Sequence, residues 1–285
     1  MKSNRFCLYA PPLSTIASYK EMVDYAAAHN ITNLETLNIL DLSTPDLQAA
    51  KELKAYADSK GVSFPCVSVG INLVDEDRAA ALETLKGYAH VAKILGSPYL
   101  HHTIALNFSD PEYIAANRDL FYGRGLEAVR EIFDYAAGLG IRTIYEDQGF
   151  LFNGQEAFTR FLADVDRNVG VVADFGNIQF VDENAEDFIP AFADRIVHVH
   201  AKDYVVTDGS TRAALPGEYT SRGGNHLGGC LIGEGSVHTE AAFQALQAMG
   251  YKGFVALEGD PIGPDEEASF CKNLDAVCTL IEKYL

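Results

Sequence analysis

Basic charge is scarce in this chain: 22 Lys and Arg stand against 40 Asp and Glu, a formal net charge of −18 over 285 residues. A field of that sign repels phosphate backbones, and no cluster of lysine and arginine offsets it locally, so nucleic acid is not an expected partner. No apolar run approaches the roughly 20 residues that a bilayer requires, and no membrane span is expected. The opening residues MKSNRFCLYAPP have too short an apolar stretch for a secretory signal, which leaves a cytoplasmic location as the default. Paired cysteines are missing as well. Cys7, Cys66, Cys230, Cys271 and Cys278 are odd in number and form neither a CxxC pair nor a Cys/His metal spacing, so they read as buried or idle thiols. There is no linker or low-complexity stretch, and a chain of 285 residues suits a single domain of barrel size, which takes roughly 250 residues plus insertions.

What is present is a steady alternation of short apolar runs with amphipathic helical spacing, the pattern of a parallel sheet. Eight strands are expected, at about Arg5–Ala10, Asn33–Leu37, Ser63–Gly70, Tyr99–Ile104, Arg142–Glu146, Val169–Asp174, Ile196–His200 and Phe254–Glu258. Between them the spacing predicts helices such as Ile16–Ala28, Thr44–Lys60, Asp77–Ile94, Leu126–Leu139 and Thr239–Met249. Ser43-Thr44-Pro45 and Ser109-Asp110-Pro111 have the form of helix starts, and Gly61, Gly96, Gly140 and Gly250 that of helix stops. The expected architecture is one (β/α)8 TIM barrel over residues 1–285.

Four of the apolar runs close on a group that can bind a divalent metal: RTIYE on Glu146, VGVVAD on Asp174, RIVHVH on His200 and GFVALE on Glu258. Charged residues at the ends of strands buried on both faces need a partner, and in a closed barrel those ends share one rim. Two glutamates, an aspartate and an imidazole form an O3N set that suits Mn²⁺, Mg²⁺, Co²⁺ or Zn²⁺, with positions left for substrate oxygens. Between His200 and Glu258 lies a Gly-rich segment from Asp203 to Gly235, expected as a long loop over the same rim.

Further candidates surround these four. His198 shares the strand face of His200 by the period of two, and either packs in the barrel or reaches substrate. His101 and His102 point to opposite faces, and the expectation favours His102 at the rim. Lys202, on the face of His200, either supports developing oxyanion charge or pairs with a carboxylate. Glu35, near the end of the second strand, either hydrogen-bonds a substrate hydroxyl, the preferred reading, or holds Arg and Lys neighbours in a structural network. Arg222 and Asn225 stand beside Gly223 and Gly224 in the long segment, where glycine permits close approach to a ligand. Gly233-Glu234-Gly235 is a weak phosphate signal. With few cations near the rim, an uncharged substrate is expected rather than a phosphorylated one.

Through IYEDQG at Glu146, VADFGN at Asp174, HVHAKD with an HxKD pattern at His200, and GYKGFVALEGD at Glu258, the chain resembles the sugar isomerase/epimerase superfamily with a xylose isomerase-like barrel. That superfamily includes ketose 3-epimerases, hydroxypyruvate isomerases and inosose dehydratases, and the resemblance spans essentially the whole chain. SRGGNHLGGCLIGEG, from Ser221 to Gly235, is similar to the segment before the last repeat in a subset of its members.

The resemblance implies one divalent cation, most often manganese, bound by Glu146, Asp174, His200 and Glu258, with Glu146 and Glu258 also moving protons. It implies a small sugar or polyol substrate enolised beside a ketone. Return of the proton to the same carbon gives an epimer, and return to the neighbouring carbon gives an aldose-ketose isomer. Loss of a β-hydroxyl makes the same site a dehydratase, and loss of the substituent of a 3-keto-glycoside makes it a related lyase. An isomerase or epimerase is therefore expected, with a lyase as the alternative.

Two departures from the family pattern bear on this. Gln148 stands where a histidine is common and cannot serve as acid or base. Asn177 stands where ketose 3-epimerases carry a histidine. Both are kept as substrate contacts. Members are often dimers or tetramers, so self-association is part of the expectation. Zinc-dependent AP endonucleases share the barrel but use three metals and bind DNA electrostatically, which the charge of −18 argues against. A non-catalytic sugar binder is a further alternative, disfavoured by the presence of both proton-handling glutamates.

Overall fold

Strands covered by helices on one face and closed on themselves along the other are buried twice, which is why their sequences run apolar almost without interruption. A computed structural model describes residues 4–9, 11–106, 111–259 and 262–285. Its strands are Phe6–Tyr9 (β1), Asn33–Thr36 (β2), Ser63–Val69 (β3), Tyr99–His102 (β4), Arg142–Glu146 (β5), Gly170–Asp174 (β6), Ile196–Ala201 (β7), Asp203–Thr207 (β8), Tyr219–Thr220 (β9), His226–Cys230 (β10) and Phe254–Leu257 (β11). The helices are Tyr19–Ala28 (α1), Leu47–Lys60 (α2), Arg78–Leu95 (α3), Pro111–Ala116 (α4), Arg118–Gly138 (α5), Gln155–Val165 (α6), Ala185–Ala191 (α7), Thr239–Ala248 (α8) and Glu266–Tyr284 (α9). Strands β1 to β7 and β11 close a barrel in the order β1-β11-β7-β6-β5-β4-β3-β2, with every neighbour pair parallel. The expected single (β/α)8 barrel is what the chain forms. Among the described residues no helix is long and apolar enough to cross a membrane.

Two apolar clusters result. The large one lies between the strands and the helices and includes Phe158 and Phe161 from α6 and Phe188 from α7. The small one, Cys66, Ile144 and Val172, is separate from it. By the period of two these three share a strand face with Ser68, Glu146 and Asp174, so they floor the barrel lumen one layer below the rim.

Helix ends follow local chemistry. Gly61 and Gly96 adopt φ of +71° and +75° after α2 and α3, and Gly140 and Gly250 follow α5 and α8 at +80° and +70°. The start of α2 departs from expectation: its cap is Asp46, whose carboxylate accepts from Gln48 N and Ala49 N, rather than Ser43 or Thr44. A carboxylate one residue after the proline reaches both free N–H groups, which the earlier hydroxyls do not. The proposed start at Ser109-Asp110 lies outside the described residues, as does Ala10 at the end of the first strand.

The segment after β7 is not a plain loop. It forms an antiparallel sheet in the order β8-β10-β9, with His226 facing Thr207 and Cys230 facing Asp203. Two glycines in HLGGC erase the alternation that would have announced a strand. Asp203 ties the two ends of this insertion together: its carboxylate accepts from Tyr204 N and Val237 N at 2.8 and 3.1 Å, and from Gly233 N and Gly235 N at 2.8 and 3.2 Å. A Cβ at Gly235 would meet Asp203 Oδ1 at 2.2 Å, so only glycine fits there. The phosphate reading of Gly233-Glu234-Gly235 thereby fails, because those N–H groups already serve a carboxylate. Asp182 clamps the middle of the insertion in the same way, accepting from Ser221 Oγ, Gly223 N and Asn225 Nδ2.

Candidate metal centre and its cavity

Register brings the four strand-end groups together. Asp174 lies level with His200 across β6 and β7. Glu146 ends β5 on one flank of that pair, and Glu258 follows β11 on the other, its N–H bonded to Ala201 O of β7. His200 Nδ1 lies 3.2 Å from Glu146 Oε2, 2.9 Å from Glu258 Oε2 and 3.8 Å from Asp174 Oδ2. One donor atom from each of the four falls within 4.8 Å of every other.

Two of the donors are held from behind. Asp174 Oδ1 accepts from Gly176 N and Asn177 N, both at 2.8 Å, leaving Oδ2 turned into the centre. Asp147, buried beside Glu146, accepts from Asp174 N at 2.9 Å. His200 Nε2 donates to Glu35 Oε1 at 3.2 Å, because a carboxylate can only accept, and this presents the Nδ1 lone pair to the other three groups. Glu35 in turn receives His198 Nε2 at 2.6 Å and the Ser68 hydroxyl, which also meets His101 Nδ1 at 2.9 Å.

The electrostatics are those of crowded anions. Burial alone would raise the Glu258 carboxyl, but Lys202 and His200 hold it well below the usual carboxylate range. Asp174 is pushed up to about 7, by burial first and then by Glu258 and Glu146, against the pull of Lys202. Burial would lower Lys202, yet Asp174 and Glu258 keep its ammonium firmly charged, with Nζ at 2.9 Å from each. Asp174 Oδ2 and Glu258 Oε2 meet only the charged groups beside them, Lys202 Nζ and His200 Nδ1, each at 2.9 Å and without good hydrogen-bond geometry, and His101 Nε2 is buried without an acceptor. Three carboxylates and one imidazole, each with a donor atom within 4.8 Å of the others, fit a divalent cation of the oxygen-and-nitrogen class.

A cavity of about 500 Å³ meets the centre at Glu258, which lines it with Lys202, Gln148 and Asn177 among others, while Glu146 borders a separate void of about 20 Å³. Asn177 Nδ2 is buried there without a partner. Tyr9, which sequence reasoning passed over, also lines it, its ring 5.0 Å from that of His200. It closes β1 just as the four ligands close theirs, and that was the available signal.

Several candidates lie elsewhere. Glu35 and His198 are wholly buried beneath His200, so of the two readings open for each the geometry favours support over substrate contact. His102 is turned outward, its nitrogens meeting Tyr145 Oη at 2.8 Å and Thr103 O at 2.9 Å, and burial pushes its pKa down to about 3. It lines only a void of about 20 Å³, room for roughly one water. The inward histidine of the pair is His101, 3.7 Å from Glu146 Oε1. Arg222 binds Phe150 O at 3.0 Å, outside the main cavity.

The fold and this cluster define a (β/α)8 barrel with a candidate divalent-metal centre at the C-terminal rim. The profile of the xylose isomerase-like TIM barrel matches residues 17–274, and the chain belongs to that family. An inosose dehydratase of Lactiplantibacillus plantarum is 25% identical over 195 residues, which span 63% of this chain and 63% of that protein. Two solved structures share the fold. An L-ribulose 3-epimerase superposes with a TM-score of 0.75 at 15% identity, covering 99% of this chain and 96% of its own. The IOLI protein with a bound zinc atom does so at 0.75 and 17% identity, covering 100% and 99%.

Proposed function

We propose that the chain is a divalent-metal-dependent isomerase or epimerase that enolises a keto-sugar or keto-polyol, with Glu146 and Glu258 as its acid/base pair. The observation that carries this reading is the strand order β11-β7-β6-β5, which sets the two glutamates on opposite flanks of Asp174 and His200. A sugar lying across that pair would offer one face to each carboxylate, so one can remove the carbon-bound proton and the other return one.

Glu146, Asp174, His200 and Glu258 would hold the cation, most often manganese in such barrels, which when bound supplies Lewis-acid polarisation of a ketone oxygen and its neighbouring hydroxyl. Lys202 keeps the Glu258 carboxylate in the ionised form that a base must have. Asn177 Nδ2 and Gln148 offer neutral hydrogen bonds to hydroxyls, consistent with an uncharged substrate. Glu35 fixes the His200 tautomer.

A lyase reading draws on one feature: Lys202 is a buried ammonium on the cavity wall, suited to stabilising the oxygen of a departing β-substituent. The distant inosose dehydratase agrees with it. Proton NMR in D₂O with Mg²⁺-loaded protein and a panel of ketoses, inososes and 3-keto-glycosides tests both. Metal-dependent deuterium uptake beside the carbonyl supports enolisation, and the product formed selects isomerase, epimerase or lyase. Binding without uptake across the panel would sink both readings.

A further inference from the structure

The cavity changes character along its length. At the inner end its lining is polar and charged, with Lys202, Glu258, Asn177 and Gln148. Its outer wall is aromatic. The stem of Lys202 and the ring of Tyr204 both close on Gly176, where a Cβ would lie 2.5 Å from Lys202 Cγ and 2.8 Å from Tyr204 Cε2. From Tyr204 the rings continue: Phe180 is 6.2 Å away, and Tyr219 lies 5.2 Å from Phe180 and 6.4 Å from Tyr204. All three line the same cavity. Exposure climbs from 5% at Phe180 and 8% at Tyr204 to 47% at Tyr219, so the row runs from the charged end out to solvent.

Two points make this wall a platform rather than ordinary packing. Tyr204 and Tyr219 belong to the inserted sheet, and Gly229 of β10 and Gly217 in the turn before β9 line the cavity without side chains and keep it wide. The volume of about 500 Å³ falls in the range of roughly 300–1,000 Å³ typical for drug-sized ligands, more than a lone sugar ring fills. A half-exposed tyrosine at the mouth of such a cavity, tilted by 52° to Phe180 and edge-on at 81° to Tyr204, offers a second ring an apolar surface of defined geometry.

We infer that the substrate is an aryl glycoside with a ketone on its sugar ring: the sugar lies at the cation end and the planar apolar substituent lies against Tyr219, with Phe180 and Tyr204 behind it. This rests on the enolisation reading only for the inner end; the outer wall stands on its own geometry.

The test uses unreactive probes. Methyl β-D-glucopyranoside, phenyl β-D-glucopyranoside and methyl β-cellobioside are titrated into the Mn²⁺-loaded protein and followed by calorimetry and by ligand NMR. The phenyl compound should bind about tenfold tighter than the methyl one, the size that one or two aromatic contacts supply, and tighter than the disaccharide. Line broadening from Mn²⁺ should fall on the sugar protons more than on the phenyl ring. The preference should collapse towards one in Tyr219→Ala and persist in Tyr219→Phe, a half-exposed position where the fold tolerates both. No phenyl preference, a preference that survives Tyr219→Ala, or a disaccharide bound as tightly as the phenyl compound would overturn the inference. A phenyl preference without proton exchange on the keto forms would keep this subsite and reject the enolisation reading; exchange without the preference would do the reverse.

Discussion

Between strands and helices, Phe158 packs against Phe161 at 5.6 Å and Phe188 at 5.4 Å, while on the opposite face of the same strands Glu35, Glu146, Asp174, His198 and His200 are buried together. The outer layer gains from every apolar atom removed from water and tolerates many fillings of similar volume. The lumen pays several kcal/mol for each ion it desolvates, so every charge there needs a partner of defined geometry. One sheet therefore carries a stabilising face and a costly one, and the second is affordable because of the first.

The largest effect that separates the two faces is catalytic. Glu258→Gln, and likewise Glu146→Gln, should lower kcat by about 10²–10⁴-fold, the usual contribution of a positioned acid or base, while substrate still binds in calorimetry. Binding lost in step with turnover would reduce these glutamates to ligand holders. On the outer face, Phe161→Ala should cost about 3–5 kcal/mol in chemical denaturation yet leave the Mn²⁺ affinity of the folded protein unchanged. A parallel fall in metal affinity would break the separation.

Glu35→Gln probes the lumen's supporting layer. Manganese affinity should drop by about 10–100-fold, as is common when the group orienting a metal-binding histidine is altered, and titration against a chelator measures it. Unchanged affinity would mean that His200 holds its orientation without Glu35.

The smallest expected effect is pH dependence. Asp174 has a folded pKa of about 7 against an ordinary 3.8, so the ion-free protein takes up a proton on folding. Its stabilising contribution is complete below the unfolded value and is lost as pH rises through 7. His200, raised above 6.5 by Glu35, Glu146 and Glu258 in spite of burial, acts in the same direction. Glu258 is depressed, and its contribution is lost only at acid pH, as pH falls below the ordinary 4.5. Scanning calorimetry should thus find the ion-free Tm falling by a few degrees between about pH 6 and 8, and saturating Mn²⁺ flattening or reversing that slope, since metal and protons compete for the same atoms. A level ion-free profile would remove Asp174 as a proton-binding group.

The same contrast explains what was legible in the sequence. Apolar runs bounded by glycine and proline gave all eight barrel strands to within a residue or two, because burial on both faces leaves no other composition. Glu146, Asp174, His200 and Glu258 stood out because a charge ends each run. The choice between His101 and His102 went the wrong way since β4 is four residues long and both of its faces are buried, so polarity could not set the phase. Glu35 and His198 were visible as polar strand residues, but their depth below the rim depends on barrel stagger, which no single strand encodes. Asp182 and Asp203 escaped notice as organisers because their partners are backbone N–H groups far along the chain, and these leave no mark on side-chain pattern.

Asp203 follows Lys202 directly, so two neighbouring side chains divide the molecule's tasks: Lys202 reaches down to Asp174 and Glu258, and Asp203 fastens both ends of the inserted sheet. What lies between those fastened ends is a cassette. Its length and ring content can drift through descent, or be exchanged in the laboratory, without shifting any of the four metal-facing groups, so reactivity and taste for substrate can evolve on separate schedules.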